Sequence, residues 1–246
     1  MEYSLYECGG HVRDELLGIK SKDVDYSVVL KDTNLHMDEA FLKFEKQLKS
    51  EGFEVFLSTP DCFTIRAKFP KEHKHSGVAD FVLARKELYY PENGRRPVSI
   101  LGSLEDDLER RDFTVNTLAK DEEGNIIDLF DGYSDLMDGI LKTPKDPYKS
   151  FKDDPLRIIR GMRFCITKEF IFSTQIREAI KEIGLKGIHK VSADRIREEL
   201  EKCFKHDTMA TLSYLEYMKR TLNFDLISYA FLETGMRLRL QPTFKE

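Results

Sequence analysis

The feature that most limits the fold is a change of pattern near residues 144–150. Before it, short runs of β-branched and aromatic residues alternate with helical periodicities. After it, from about residue 154, apolar residues recur only at helical spacing. Such a change from mixed pattern to helices alone fits two successive parts. We expect an α/β part over residues 1–146, a mixed sheet with flanking helices, and an all-α part over 147–246.

In the first part, residues 4–8, 24–30, 53–57, 62–69 and 78–84 read as strands, with another at 125–129. Residues 10–18 read as a helix closed by Gly18, and 40–52 as an amphipathic helix with apolar positions 41, 44 and 48. The stretch 85–104, RKELYYPENGRRPVSILGSL, is rich in proline, glycine and charge and is expected to be an exposed, mobile loop. Residues 105–119 resume helical spacing at 108, 115 and 118 and predict one helix. In the second part, helices are expected over 154–168, 173–183, 192–205, 207–220 and 224–235.

Composition narrows the setting. The four cysteines include no CxxC pair, which disfavours a zinc site and fits a reduced, cytoplasmic protein. No run of 18 apolar residues occurs, so no membrane partner is expected. The net charge is −5, so any nucleic acid must be met by local basic clusters such as 95–96, 110–111 and the arginines at 157, 160 and 163.

Several short patterns carry chemistry. Residues two apart on a strand share a face, so Asp23 and Asp25 project together if the strand begins by Lys22. Paired carboxylates repel unless a cation or proton is shared, and Mg²⁺ takes such hard oxygen ligands. Asp80, in ADFVLAR, converges with them if its strand lies beside 24–30, which would suit a two-metal site. A lone DxD is also common in solvated turns. Gly9-Gly10 before a helix permits close approach of an anion to backbone N–H groups, or is simply a tight turn. In RRDF, Arg110 and Arg111 are adjacent and cannot share one helical face, so both are not expected to be buried. Arginine forks match phosphate oxygens. In DDPLRIIRGMRF, Arg157, Arg160 and Arg163 form a slowly winding stripe, and Asp154 with Arg157 is either a first-turn ion pair or a fixed acceptor and donor for a base edge. His73 and His75 fall in an expected hairpin loop and are read as solvated.

These segments occur in a recognisable order: GGHVRDELLG, DVDYSVV, ADFVLARKE, RRDFTVNTLA, DLFDGYSDLMDGILKT, DDPLRIIRGMRF and VSADRIREEL. Across residues 6–204 the chain closely resembles the class II tRNA nucleotidyltransferase and bacterial poly(A) polymerase family. The resemblance implies a nucleotidyltransferase head with a helical neck, and template-independent addition of nucleotides to an RNA 3′ end. It implies that Asp23, Asp25 and Asp80 hold Mg²⁺. Gly9, Gly10 and Arg13 would form a phosphate-binding turn, and Arg110, Arg111, Asp112 and Asn116 would handle triphosphate and ribose. Asp154 and Arg157 match the base-reading acid and arginine of the neck motif. Its first position is Asp153 here, not the family's glutamate. Arg160 and Arg163 would face triphosphate or base.

Three activities compete within that family. CC-only enzymes have a shortened loop after the third carboxylate, whereas LYYPENGRRPVSILGS is intact here. Poly(A) polymerases carry a glycine, a basic pair and a phenylalanine before the strand at 62–69, whereas FLSTPDCFTIRAKF has none of this pattern. The favoured expectation is CCA addition to tRNA from CTP and ATP, with poly(A) addition next and a non-polymerising nucleotide-binding regulator last. Family members continue through body and tail helices beyond the neck, and three readings stay open for this chain: a minimal enzyme, a fragment, or one whose grip on tRNA a homodimer or other partner completes.

Overall fold

The computed structural model describes residues 1–246 except 21–23, 91–96, 239, 245 and 246. The chain divides into two compact units, Met1–Tyr133 and Ser134–Glu246.

In the first unit, β1 (Tyr3–Cys8) leads into α1 (Gly10–Leu16), followed by β2 (Val24–Leu30), α2 (Met37–Ser50), β3 (Glu54–Thr59), β4 (Thr64–Lys68) and β5 (Val78–Leu83). Then come β6 (Arg85–Tyr89), β7 (Val98–Leu101), α3 (Leu104–Glu109), β8 (Ala119–Lys120) and β9 (Ile126–Ile127). Among the described residues, seven strands form one sheet in the order β3-β4-β5-β2-β1-β8-β9. Only β2 and β5 run parallel within it; the remaining neighbours are antiparallel. The long excursion through α2, β3 and β4 provides the crossover that a parallel pair requires.

The two faces of this sheet do different work. Tyr26, Val28, Leu30, Ile65, Ala67, Phe81 and Leu83 point to one side, where Met37, Ala40, Phe41, Phe44 and Leu48 of α2 complete a core. Those α2 positions recur at three or four residues, so one stripe of the helix is buried. Asp38 and Glu39 in its first turn favour the start of the helix electrostatically. The alternate positions of the strands, including Asp25, Ser27 and Asp80, face the other side.

Two expectations fail locally. The stretch after residue 84 is not simply a loop: β6 and β7 pair as an antiparallel hairpin, Arg85 opposite Leu101 and Glu87 opposite Ser99. Alternation in VSIL and in RKELY carries this pairing, while the charge and glycine that read as loop lie at residues 91–96, outside the described residues. Nor do residues 105–119 form one helix. Ser103 and Asp106 make a reciprocal capping box that starts α3, but the helix ends at Glu109. Asp112 then accepts the Phe113 backbone N–H (2.9 Å) and the Asn116 Nδ2 (2.8 Å), which closes a tight turn instead. Ala119 and Lys120 extend to pair with Cys8 and Glu7. Leu108, Val115 and Leu118 are all fully buried, so the apolar spacing was real, but it is shared among three local conformations.

Helix α4 (Gly132–Met137) spans the division between the units, and the second unit continues with β10 (Ile140–Leu141), α5 (Pro147–Asp153), α6 (Leu156–Lys168), β11 (Ile171–Phe172), α7 (Thr174–Ile188), α8 (Ala193–His206) and α9 (Thr208–Leu222). It is helical apart from the two-residue parallel pair β10–β11. Its core takes Ile158, Ile159 and Met162 from α6, Ile176 and Ile180 from α7, Ile196 and Leu200 from α8, and Leu215 and Met218 from α9. Gly184 is required by packing: a Cβ there would come within 2.8 Å of the Phe224 ring. The last expected helix, 224–235, is a short π-helical turn over Ser228–Glu233. No described helix is long and apolar enough to cross a membrane.

Candidate active site

The parallel register of β2 and β5 places Asp25 directly opposite Asp80. The same row continues to Arg66 on β4, opposite Asp80, and to Cys8 on β1, opposite Asp25. Asp25 and Asp80 are therefore adjacent on one face of the sheet and half-buried. Asp80 accepts two hydrogen bonds from Arg66, Nε to Oδ1 at 2.8 Å and Nη2 to Oδ2 at 2.9 Å. This fork offsets the repulsion between the two acids. The donor set, oxygen only and open to solvent, fits a hard divalent cation such as Mg²⁺. Asp23, the third expected ligand, lies outside the described residues.

Beside this row, β1 is followed by Gly9, whose φ of +74° is a conformation open chiefly to glycine. A Cβ on Gly9 would lie 2.6 Å from Nη1 of Arg111, so close approach also demands glycine. Gly10 opens α1, and Arg13 on that helix is 5% exposed. Its Nη1 donates to Asn116 Oδ1 (2.5 Å) and its Nε to Asp14 Oδ1 (2.9 Å). Asn116 in turn donates to Asp112. The residues expected at the phosphate-binding turn and in the RRDF segment thus form one connected network, although they are about a hundred positions apart in the chain.

Arg110 and Arg111 are both mostly covered, which departs from the sequence reading. Because α3 stops at Glu109, Arg110 and Arg111 are not successive residues of a regular helix, and both forks reach one carboxylate. Asp107 accepts Arg110 Nε (2.9 Å) and Nη2 (2.6 Å) on Oδ1, and Arg111 Nη2 (3.2 Å) on Oδ2. Arg111 Nη2 also donates to Cys8 Sγ at 2.8 Å. Burial pushes the Asp107 carboxyl upward, but the two guanidiniums outweigh it and hold it below the usual carboxylate range. Sequence reasoning missed Asp107, although its i,i+3 and i,i+4 spacing to the arginines was a visible signal.

Another acidic group, Glu7, His11 and Glu15, brings ligand atoms within 4.8 Å of one another. Lys120 Nζ already bridges Glu7 and Glu15, so a cation is supplied there by the chain itself. His73 and His75 are only partly solvated: the rings of His73 and Phe69 stack at 4.8 Å.

In the second unit, Asp154 follows α5 and precedes α6. Its Oδ1 accepts the Leu156 N–H (3.3 Å) and its Oδ2 faces Arg195 Nη2 at 3.4 Å. Arg157, in the first turn of α6, is 9% exposed and donates from Nη1 to Ser150 Oγ at 2.7 Å. Arg160 is half-buried one turn further on. Arg163 Nε is bound to Glu199 Oε2 of α8 at 2.6 Å, and its guanidinium lies 4.5 Å from the Phe164 ring centroid. Ser150, Arg195 and Glu199 were not singled out from the sequence, because their partners come from other helices.

Fold and site define a class: an α/β nucleotidyltransferase head followed by a helical portion. The family model for the poly(A) polymerase head domain matches residues 5–142. The chain belongs to that family. It is 34% identical over 229 residues to the tRNA nucleotidyltransferase cca2 of Schizosaccharomyces pombe, covering 88% of this chain and 46% of the relative. It is 36% identical over 207 residues to a CCA-adding enzyme of Streptococcus suis, covering 83% and 46%. Among solved structures, it resembles the Bacillus stearothermophilus CCA-adding enzyme in complex with CTP, with 26% identity, a TM-score of 0.71, and 91% of this chain and 49% of that one covered. The Thermotoga maritima CCA-adding enzyme complexed with tRNA_CCA gives 26% identity and a TM-score of 0.67, with 94% and 49% covered. The chain spans about half the length of the curated relatives it matches.

Proposed function

We propose that this chain is a template-independent RNA 3′-terminal nucleotidyltransferase that adds C and A to tRNA 3′ ends from CTP and ATP. The observation that carries the reading is the placement of Asp25 opposite Asp80, beside Gly9 and the arginines of the RRDF segment. The relatives named as CCA-adding enzymes support the choice of nucleotide and RNA.

In this reading residues 1–146 act as the transfer head and 147–246 as the neck and body that meet nucleotide and RNA. Asp23, Asp25 and Asp80 hold Mg²⁺. When bound, the metal supplies Lewis-acid activation of a hydroxyl and screening of developing charge. Gly9 and Gly10 let a phosphate approach the backbone closely. Arg13, Arg110 and Arg111 neutralise the triphosphate, and Asp112 with Asn116 orients it and the ribose. The RNA 3′-oxygen forms a bond to the α-phosphorus as the bond to the β-phosphate oxygen breaks. Pyrophosphate leaves, and the hydroxyl proton passes to solvent. Asp154 and Arg157 offer an acceptor and a donor to the base edge, with Arg160 and Arg163 supporting.

A primer-extension assay with Mg²⁺ tests this reading. The primers are tRNA ending before CCA, tRNA ending in CC, and a short oligo(A), each with CTP, ATP or both. Two Cs and one A on tRNA, followed by a stop, are expected. Long A tracts on any RNA would replace the reading with poly(A) addition, the activity for which the family model is named. No extension of any primer would favour a nucleotide-binding regulator.

A further inference from the structure

We propose that Asp107 is a positioning residue for the anion site: it locks Arg110 and Arg111 to the strand that carries Asp25. This deepens, and rests on, the nucleotidyltransferase reading above.

Asp107 is fully buried. A carboxylate there is tolerated only if charge and hydrogen bonds replace its water. Arg110 supplies two donors to Oδ1, and Arg111 supplies one to Oδ2. The remaining donor comes from the sheet: the Ser27 hydroxyl, also fully buried, donates to Oδ2 at 3.1 Å. Ser27 is two residues beyond Asp25 on β2, so both side chains leave the same face of the same strand. Arg111 is held from further sides by Cys8 Sγ and by the Asn116 carbonyl oxygen at 3.4 Å, and it fills the space a side chain at Gly9 would need. One carboxylate therefore sets the distance between the arginine pair, the glycine turn and the acid-bearing strand.

A charge argument and a geometric argument give opposite signs, which makes the point decidable. Removing the Asp107 charge takes one negative charge away from beside both guanidiniums and, by Coulomb attraction alone, would tighten anion binding. If Asp107 acts by positioning, its loss lets both forks swing and weakens binding.

The experiment compares the wild-type chain with Asp107→Asn and Ser27→Ala. It reads the Kd for inorganic tripolyphosphate, the KM and kcat for CTP, and Tm. Asp107→Asn is expected to raise tripolyphosphate Kd and CTP KM about tenfold or more, as loss of charge-assisted hydrogen bonds does. Ser27→Ala is expected to move both in the same direction by about threefold, with a Tm close to wild type. Unchanged or tighter tripolyphosphate binding by folded Asp107→Asn would overturn the proposal. If Asp107→Asn does not fold, Ser27→Ala decides, and an unchanged Kd overturns it. Wild type that binds tripolyphosphate but transfers no nucleotide would sink the transfer reading alone, and the variants' Kd values would still judge Asp107. Wild type that binds no tripolyphosphate would overturn the anion site and the role of Asp107 with it.

Discussion

Asp25 and Asp80 stand opposite one another on two parallel neighbours of the main sheet, and Arg66 forks onto the outer acid of the pair. Two carboxylates are tolerable at this spacing because a cation is at hand, here a guanidinium and, in the proposed reaction, a metal.

Asp25→Ala should therefore remove transfer while leaving the fold. Loss of several kcal/mol of charge stabilisation corresponds to about 10³-fold or more in rate. The side chain is half-buried and at the sheet's open face, so Tm should move by only a few degrees. Single-turnover extension with Mg²⁺ beside thermal melting checks both. Transfer at the wild-type rate would refute the metal assignment.

Gly9→Ala should be costly for two separate reasons. The backbone conformation at φ +74° is strained for alanine, by about 1–3 kcal/mol. The new Cβ would also push on Arg111 Nη1 from 2.6 Å. We expect a lower Tm together with a raised KM for CTP. A lower Tm with an unchanged KM would mean that Arg111 can shift without consequence for nucleotide.

Arg157→Ala should loosen the choice of CTP and ATP over UTP and GTP more than it weakens triphosphate binding. Ser150→Ala, which removes the 2.7 Å acceptor of Arg157 Nη1, should do the same to a smaller degree. Incorporation ratios for the four nucleotides read this directly. Unchanged discrimination in Arg157→Ala would move base reading elsewhere.

Glu199 governs part of the acid stability of the helical unit. Burial pushes its carboxyl up, but hydrogen bonds from Lys202 (2.8 Å) and Arg163 (2.6 Å) outweigh that and hold it below the ordinary value of about 4.3. A depressed carboxylate contributes fully above its unfolded pKa, and its contribution is lost as pH falls through the folded value. Glu199→Gln should thus cost about 1–3 kcal/mol at neutral pH, and less and less below pH of about 4. Denaturant melts at pH 7 and pH 3 check this; an equal loss at both would show that the charge on Glu199 is irrelevant.

The sequence by itself determined the change from mixed sheet to helices, the strand at Val24–Leu30, and most helices of the second unit. It could do so because alternation and helical spacing are local and strongly periodic there. It also offered Asp25, Asp80, Gly9, Arg111 and Arg157 as candidates by residue type and spacing, while Asn116 and the role of Arg13 came only from the family resemblance. It misjudged residues 85–104 and 105–119, where turn-forming side chains compete with periodicity and where the decisive partners lie in distant strands. Only the tertiary structure decided that Asp25 faces Asp80, that Arg13 reaches Asn116, and that both arginines converge on Asp107. Those relations depend on sheet order and on where α3 stops. Strand order is set by closing long loops around a shared core, a balance of non-local burial that no short window of sequence encodes.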